Sequence, residues 1–423
     1  VSTARLLAAY LFARPLTTLL TVMLVALGIA TAVIVTLVTG QMTQRLVRDS
    51  AGIDLVVGAK GSPLQLVLSG VHHLDVPPGN IPLAALGELR DNRLVAQAIP
   101  LSLGDSLQGF RIVGTEPAFL ELHGARIAAG ATFAAPMQAV LGARVAAATG
   151  LSVGATFAGG HGLGEGGPTH EGERYTVSGV LAATGGVIDR LVLTPLESVW
   201  LTHEVGHAAG AAHSERAAEP AAGHDADHDH DHDHDHDHDA DADREITMVL
   251  LRYATPLAAA SLPRAINASD RLQAASPAFE SARLFQLVGA GVDGIRAFGA
   301  LLLATAALSV FVALFQALSD RRRELALMRL LGASPRRLFA LLLGEGVALT
   351  AIGVVLGMAI GHGVLVLAGP WLAPRGELPL TGLDFDTMEW AWAGGALALG
   401  CLAALVPAWL AARTPLAGVL AEE

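Results

Sequence analysis

Charge, cysteine and lysine are all scarce in this chain of 423 residues. Only 16% of it is charged, where an ordinary soluble protein carries about a quarter. With 52% hydrophobic residues and a mean hydropathy of +0.50, the composition is that of a membrane protein with room for one or two soluble domains. The single cysteine, Cys401, sits inside an apolar run, so disulfides within the chain are excluded from the fold and the redox compartment is left open. The single lysine, Lys60, is preceded by Ala59 and followed by Gly61. A P-loop needs Gly-Lys-Ser/Thr with its lysine on the phosphates, so no ATPase of that kind is encoded here. Nothing points to a nucleic-acid partner. The net charge of −12 is concentrated: ten aspartates lie between Asp225 and Asp243, and without them about −2 remains.

Four stretches are apolar and uncharged for the ~20 residues that a bilayer crossing requires. They run from about Leu16 to Val38, between Arg296 and Asp320, from Glu345 to about Leu367, and from about Trp390 to Ala412. The first exceeds the h-region of a signal peptide and is read as a retained helix. Arg5 and Arg14 precede the first span, Arg321, Arg322, Arg323, Arg329, Arg336 and Arg337 crowd between the second and third, and Arg413 follows the fourth. The positive-inside rule therefore places both termini and the arginine-rich loop in the cytoplasm, and residues 41–296 outside.

The external stretch has short β-like runs (Leu55–Val57, Phe110–Val113, Tyr175–Val180, Leu191–Leu193) among helical candidates at Leu83–Leu89 and Ala139–Ala148. A mixed α/β domain is expected, with Ile246–Tyr253 as a returning strand and Ser269–Arg296 as a helical stalk into the second span. The expected fold class is thus membrane α-helical, with four transmembrane helices and a large extracytoplasmic α/β domain between the first two. Residues from about 208 to 243 are Ala, His and Asp with little else, too polar to fold alone.

The segment Arg321 to Ala333 (RRRELALMRLLGA) and the tail Leu405 to Arg413 (LVPAWLAAR) followed by Pro415 are specific patterns. So are Val113–Leu120 (VGTEPAFL), Val140–Ala146 (VLGARVA) and Tyr175–Leu181 (YTVSGVL). Together and in this order they resemble the FtsX-like/MacB-like ABC permease family, which includes the lipoprotein-release and macrolide-exporter permeases. The resemblance implies a bacterial inner-membrane permease subunit that works as a dimer, with a second copy or a paralogue. It also implies a separate cytoplasmic ABC ATPase that alone binds ATP, and mechanical transmission to the external domain. The organisation expected is residues 1–44 for the first span, 45–268 for the external domain, 269–320 for stalk and second span, 321–337 for a coupling loop and 338–423 for the last two spans. Within the loop, Glu324, Leu325, Leu327, Met328, Arg329, Leu331 and Gly332 form the candidate ATPase contact, a short amphipathic helix.

Histidines supply the remaining candidates. His224, His228, His230, His232, His234, His236 and His238 lie among aspartates, a donor set suited to loosely held Zn²⁺, Ni²⁺ or Cu²⁺. A zinc-linked transporter with an extracytoplasmic metal-binding or lipoprotein partner is one extension, and a metal-buffering or sensing protein is another. Upstream, His203, Glu204, His207, Gly210 and His213 match HExxHxxGxxH, in which three histidines hold zinc and the glutamate polarises water. The flanking permease-like and low-complexity sequence argues against a membrane-anchored peptidase, and no catalytic residue is expected beyond Glu204 in that alternative. His72, His73, His161 and His170 read as ordinary surface or turn residues. His362, near the outer end of the third span, reads as structural, and Glu345 as an anchor or an arginine partner.

Overall fold

The computed structural model describes residues 13–162, 169–202, 244–372 and 380–413. It divides into two compact units, the first holding the long apolar helices and the second, residues 44–285, holding the strands.

The strand unit opens with β1 (Leu55–Ala59), followed by α2 (Pro63–Gly70), β2 (Ile81–Pro82), α3 (Ala84–Arg90), β3 (Val95–Leu107) and β4 (Phe110–Thr115), α1 being the preceding helix Pro15–Asp49. Next come α4 (Ala118–Leu122), β5 (Ile127–Gly130), β6 (Gln138–Leu141), α5 (Ala143–Thr149), β7 (Thr156–His161), β8 (Thr169–Leu181) and β9 (Val192–Pro195). It closes with β10 (Glu245–Ile246), β11 (Met248–Tyr253), α6 (Ala258–Asn267) and β12 (Leu272–Ala275). The main sheet runs β12-β1-β11-β3-β4-β9-β6-β8-β5, with β7 beside β3 and β8, and β10 pairs β2 separately. Most neighbours are antiparallel, while β4 with β9 and β6 with β8 are parallel.

Alternation along β1 shows why its run is wholly apolar. Val56 packs with Leu66 and Val67 of α2 on one face, and Leu55 and Val57 pack with Leu86, Leu262 and Ile266 of α3 and α6 on the other. A strand covered on both faces has no side left for polar residues. The same division recurs in β4, where Val113 joins the first core and Ile112 a third one around Tyr175, Phe157 and Val145.

Two helical expectations fail here. Ala139–Leu141, the start of the stretch read as a helix, belongs to strand β6, and Gly142 separates it from helix α5. Leu272–Ala275, within the expected stalk, is strand β12 paired with β1, and helix begins only at Pro277.

The other unit consists of α1, α7 (Pro277–Asp320), α8 (Arg322–Leu330), α9 (Pro335–Leu372) and α10 (Thr387–Ala412). Four of these are long and apolar enough to cross a membrane. The expected fold class is therefore the observed one. In α1 the most apolar window is 61% buried, against 28%, 28% and 33% in the others, so α1 is the enclosed helix and the rest turn leucines outward. Val25, Ile29, Val33 and Leu37 of α1 pack against Leu303 and Ala306 of α7, Val354 and Leu365 of α9, and Ala393 and Ala396 of α10. Helix α9 approaches α1 closely at Gly353 and Gly357; at Gly357 a Cβ would lie 2.6 Å from the Ala26 carbonyl oxygen. Small residues that let backbones approach are the usual basis of helix association in lipid.

Candidate functional site

The arginine-rich loop forms a helix of its own. It starts after Arg321 as α8 and ends in a Schellman motif. There the Ala333 N–H donates to Met328 O at 2.9 Å and the Gly332 N–H to Arg329 O at 3.0 Å, with Gly332 at φ +96°. That backbone conformation suits glycine and few other residues. Pro335 then occupies the first turn of α9, where its missing N–H costs nothing.

The faces of α8 differ sharply. Leu325 and Ala326 are buried, Leu325 in a cluster with Leu318 of α7, Leu338 and Leu342 of α9, and Ala408 and Ala411 of α10, and Met328 packs against the same cluster. The opposite side exposes Leu327 and Leu330 at 55% each and Leu331 at 87%. Glu324 is also exposed and Arg329 half-buried. Thus the structure separates the predicted coupling residues into inward (Leu325, Met328) and outward (Glu324, Leu327, Leu331) sets, with Gly332 ending the helix. Sequence reasoning missed Leu330, which i,i+3 spacing from Leu327 could have found. Ion pairs hold the base of the loop: Arg321 lies 3.5 Å from Glu345, as expected of Glu345, and Arg14 pairs with Asp320.

In the strand unit, the surface reading of His72 and His73 is wrong. They are 2% and 9% exposed, and no ring nitrogen of either has a hydrogen-bond partner among the described residues. His72 Nδ1 lies 3.8 Å from an Asp49 carboxylate oxygen, and Arg190 donates to the His72 carbonyl. The His73 ring meets the edge of Phe119, whose other neighbour is the His123 ring at 4.6 Å. Burial, then the cation of Arg111, holds the His73 imidazole well below its usual range. Burial likewise brings His123 down to about 4. Arg111, itself buried, donates to Ser69 O and Asp75 O and is lowered to about 10. These partners are far apart in sequence, so no local pattern marked them. His161 and His170 lie on β7 and β8.

His203, Glu204, His207, His213, His224, His228, His230, His232, His234, His236 and His238 lie outside the described residues. Among the described residues no group of three or more His, Cys, Asp or Glu side chains is placed to hold a metal ion.

Two family models match the chain: the FtsX-like permease C-terminal model over residues 296–417 and the MacB-like periplasmic core domain model over residues 18–223. No curated protein matches. Similar solved structures include the periplasmic region of MacB from Actinobacillus actinomycetemcomitans, 8% identical with a TM-score of 0.33 over 56% of this chain and 95% of that one. Another is the extracellular domain of the noncanonic ABC-type transporter YknZ from Gram-positive bacteria, 11% identical with a TM-score of 0.29 over 52% of this chain and 98% of that one.

Proposed function

Because the chain belongs to the FtsX-like/MacB-like ABC permease family, we propose that it couples ATP hydrolysis by a separate cytoplasmic ATPase subunit to motion of its own external domain. The observation that carries this reading is the division of α8. Leu325 fixes the helix to α7, α9 and α10, while Leu327, Leu330 and Leu331 beside Glu324 present an apolar strip with an acidic edge to the outside. A partner that grips the strip moves three spanning helices at once, since all three contribute to the cluster around Leu325. The arginine distribution supports cytoplasmic termini and a cytoplasmic α8, with residues 44–285 on the periplasmic side of a bacterial inner membrane. A dimer with a second copy or a paralogue completes the assembly.

The test is co-purification with a candidate P-loop ATPase subunit from the same genome, with ATP hydrolysis as readout. Leu331→Asp and Glu324→Arg lie on the exposed side, so each should change stability by less than ~0.5 kcal/mol and reduce the permease-dependent rate about tenfold. Unchanged stimulation in both variants would sink the assignment of α8.

The His/Asp run extends the proposal: its alternating donors support loose binding of several Zn²⁺, Ni²⁺ or Cu²⁺ ions outside the membrane. Zinc linkage then predicts that micromolar Zn²⁺ changes the ATPase rate of the complex and that deleting residues 224–239 removes the response. A response that survives the deletion places zinc elsewhere. Peptide hydrolysis that is chelator-sensitive and lost in Glu204→Ala would instead favour the peptidase alternative.

A further inference from the structure

His362 in α9 and Glu389 in the first turn of α10 both lie within membrane-spanning helices, where ionisable groups are costly and tend to be functional. Their side chains are 13% and 0% exposed. His362 Nδ1 is 2.7 Å from the Gly382 carbonyl oxygen, and Nε2 is 2.8 Å from Glu389 Oε2. Oε1 of the same carboxyl accepts the Asp386 N–H at 2.8 Å, closing the capping box of α10. We propose that His362 and Glu389 form a proton-binding site, a latch that fastens residues 380–389 to α9 most tightly while one proton is bound between them.

The hydrogen bonds set the proton count. A carbonyl oxygen only accepts, so Nδ1 carries a hydrogen. A nitrogen and an oxygen at 2.8 Å need a hydrogen between them too. The pair therefore holds one proton more than a neutral imidazole beside a carboxylate, either as imidazolium with carboxylate or as imidazole with carboxylic acid. Release of that proton to water or a buffer base leaves one ring nitrogen with a bare lone pair. It then faces either the Gly382 carbonyl or the Glu389 carboxylate, and one of the two hydrogen bonds is lost. A capping box alone asks for less. It uses only Oε1, and glutamine could serve there equally well, with its amide donating to Nε2.

Few other charges face the pair. Phe385 covers the imidazole at 4.3 Å between ring centroids. Asp386 turns Oδ1 to the Met388 N–H, and Asp384 is exposed. From α1 come neutral groups: Gln41 donates to Thr381 O and accepts from the Thr381 N–H, and Thr36 accepts from Trp392. The segment held by the latch is thus also clasped to α1, so the proton ties three spanning helices together at the end remote from α8. In the topology proposed above this end faces the periplasm and the latch reads external pH. That clause rests on the orientation, whereas the following test does not.

The experiment is hydrogen exchange by mass spectrometry on the full-length protein in detergent micelles, from about pH 6 to about pH 9. Exchange is expressed as protection relative to the unstructured rate. Peptides over residues 380–389 of the wild type should lose protection about tenfold on the alkaline side, the consequence of one lost buried hydrogen bond. Glu389→Gln, which meets both hydrogen bonds without a titratable proton, should hold protection within about twofold. His362→Phe should lack it at every pH. Peptides over 346–361 should be unchanged in all three, which shows that the bundle is folded. A flat wild-type profile overturns the proposal, and so does a Glu389→Gln profile that falls like the wild type. If a variant does not fold, the wild-type profile alone decides.

Discussion

The two units bury polar groups by different rules. In the helix unit the buried carboxylates face cationic or imidazole groups, Glu345 with Arg321 and Glu389 with His362. In the strand unit His73 is buried near Arg111 and Arg190, with no hydrogen-bond partner for its ring among the described residues. The medium accounts for the contrast. A carboxylate in hydrocarbon cannot be left to water, so it is paired. An imidazole in a soluble core can give up its charge, and its cost appears only when pH forces the charge back. Apolar packing differs too: the helix unit relies on glycines against α1, the strand unit on alternating faces of one sheet.

The largest effect is expected from enlarging the glycine contact. Gly357→Leu would place its Cβ only 2.6 Å from the Ala26 carbonyl oxygen and 2.7 Å from Ile29 Cβ, with the rest of the side chain still to fit. The expected loss is about 3 kcal/mol or more, measured by unfolding in mixed micelles. Gly363→Ala, with open space around its Cβ, is the matched control and should be neutral or stabilising by up to ~1 kcal/mol through helix propensity. Equal losses at both positions would show that α9 does not depend on close approach.

Acid sharpens the other half. A histidine whose folded pKa is depressed binds fewer protons folded than unfolded. Its stabilisation is therefore complete above the unfolded value near 6.5 and is lost as pH falls below it. For His123 the loss should run down to about 4, and His73, also held well below its usual range by burial, adds to the loss below the unfolded value. Urea unfolding followed by exchange of peptides from residues 44–285 should show a loss of a few kcal/mol between about pH 7 and pH 4. His73→Asn removes one of the two titrating groups and tolerates the positive φ of 52° found there. It should make the profile shallower while the His123 part remains, and an unchanged slope would assign the acid loss to other groups.

The same contrast explains what the sequence made legible. The spans were readable because a bilayer forbids charge over a known length, yet α9 begins at Pro335, before Glu345, because exposed Arg336 and Arg337 continue the helix beyond its apolar part. Strand β12, Leu-Gln-Ala-Ala, has no β-branched residue, and only its pairing with β1 makes it a strand. The helix α8 was readable from local amphipathicity, but Leu325 and Leu331 were read together on its apolar side, and only packing separates the buried Leu325 from the exposed Leu331. The Phe119 and His123 neighbours of His73 come from distant sequence and left no mark. His362 and Glu389 did leave one, as two ionisable groups at the facing ends of consecutive spans, but only their pairing in space gives either a role.

Lys60, a surface charge, gives the smallest expected effect. In the sequence it served only to exclude a P-loop. In the structure its ammonium donates to Asn267 O at 2.9 Å and Ser269 O at 2.7 Å, carbonyls at the C-terminal end of α6. A cation there meets both unpaired carbonyls and the negative end of the helix dipole, together about 0.5–1 kcal/mol for an exposed group. Lys60→Met should cost that amount, and Lys60→Arg should recover part of it. The loss should shrink in high salt, because exposed charges are screened. No such salt dependence is expected for Gly357→Leu, whose cost is steric. If Lys60→Met proved as costly as the glycine change, the β1–α6 junction would be a keystone of the strand unit, and the sheet's two covered faces would not be its main support.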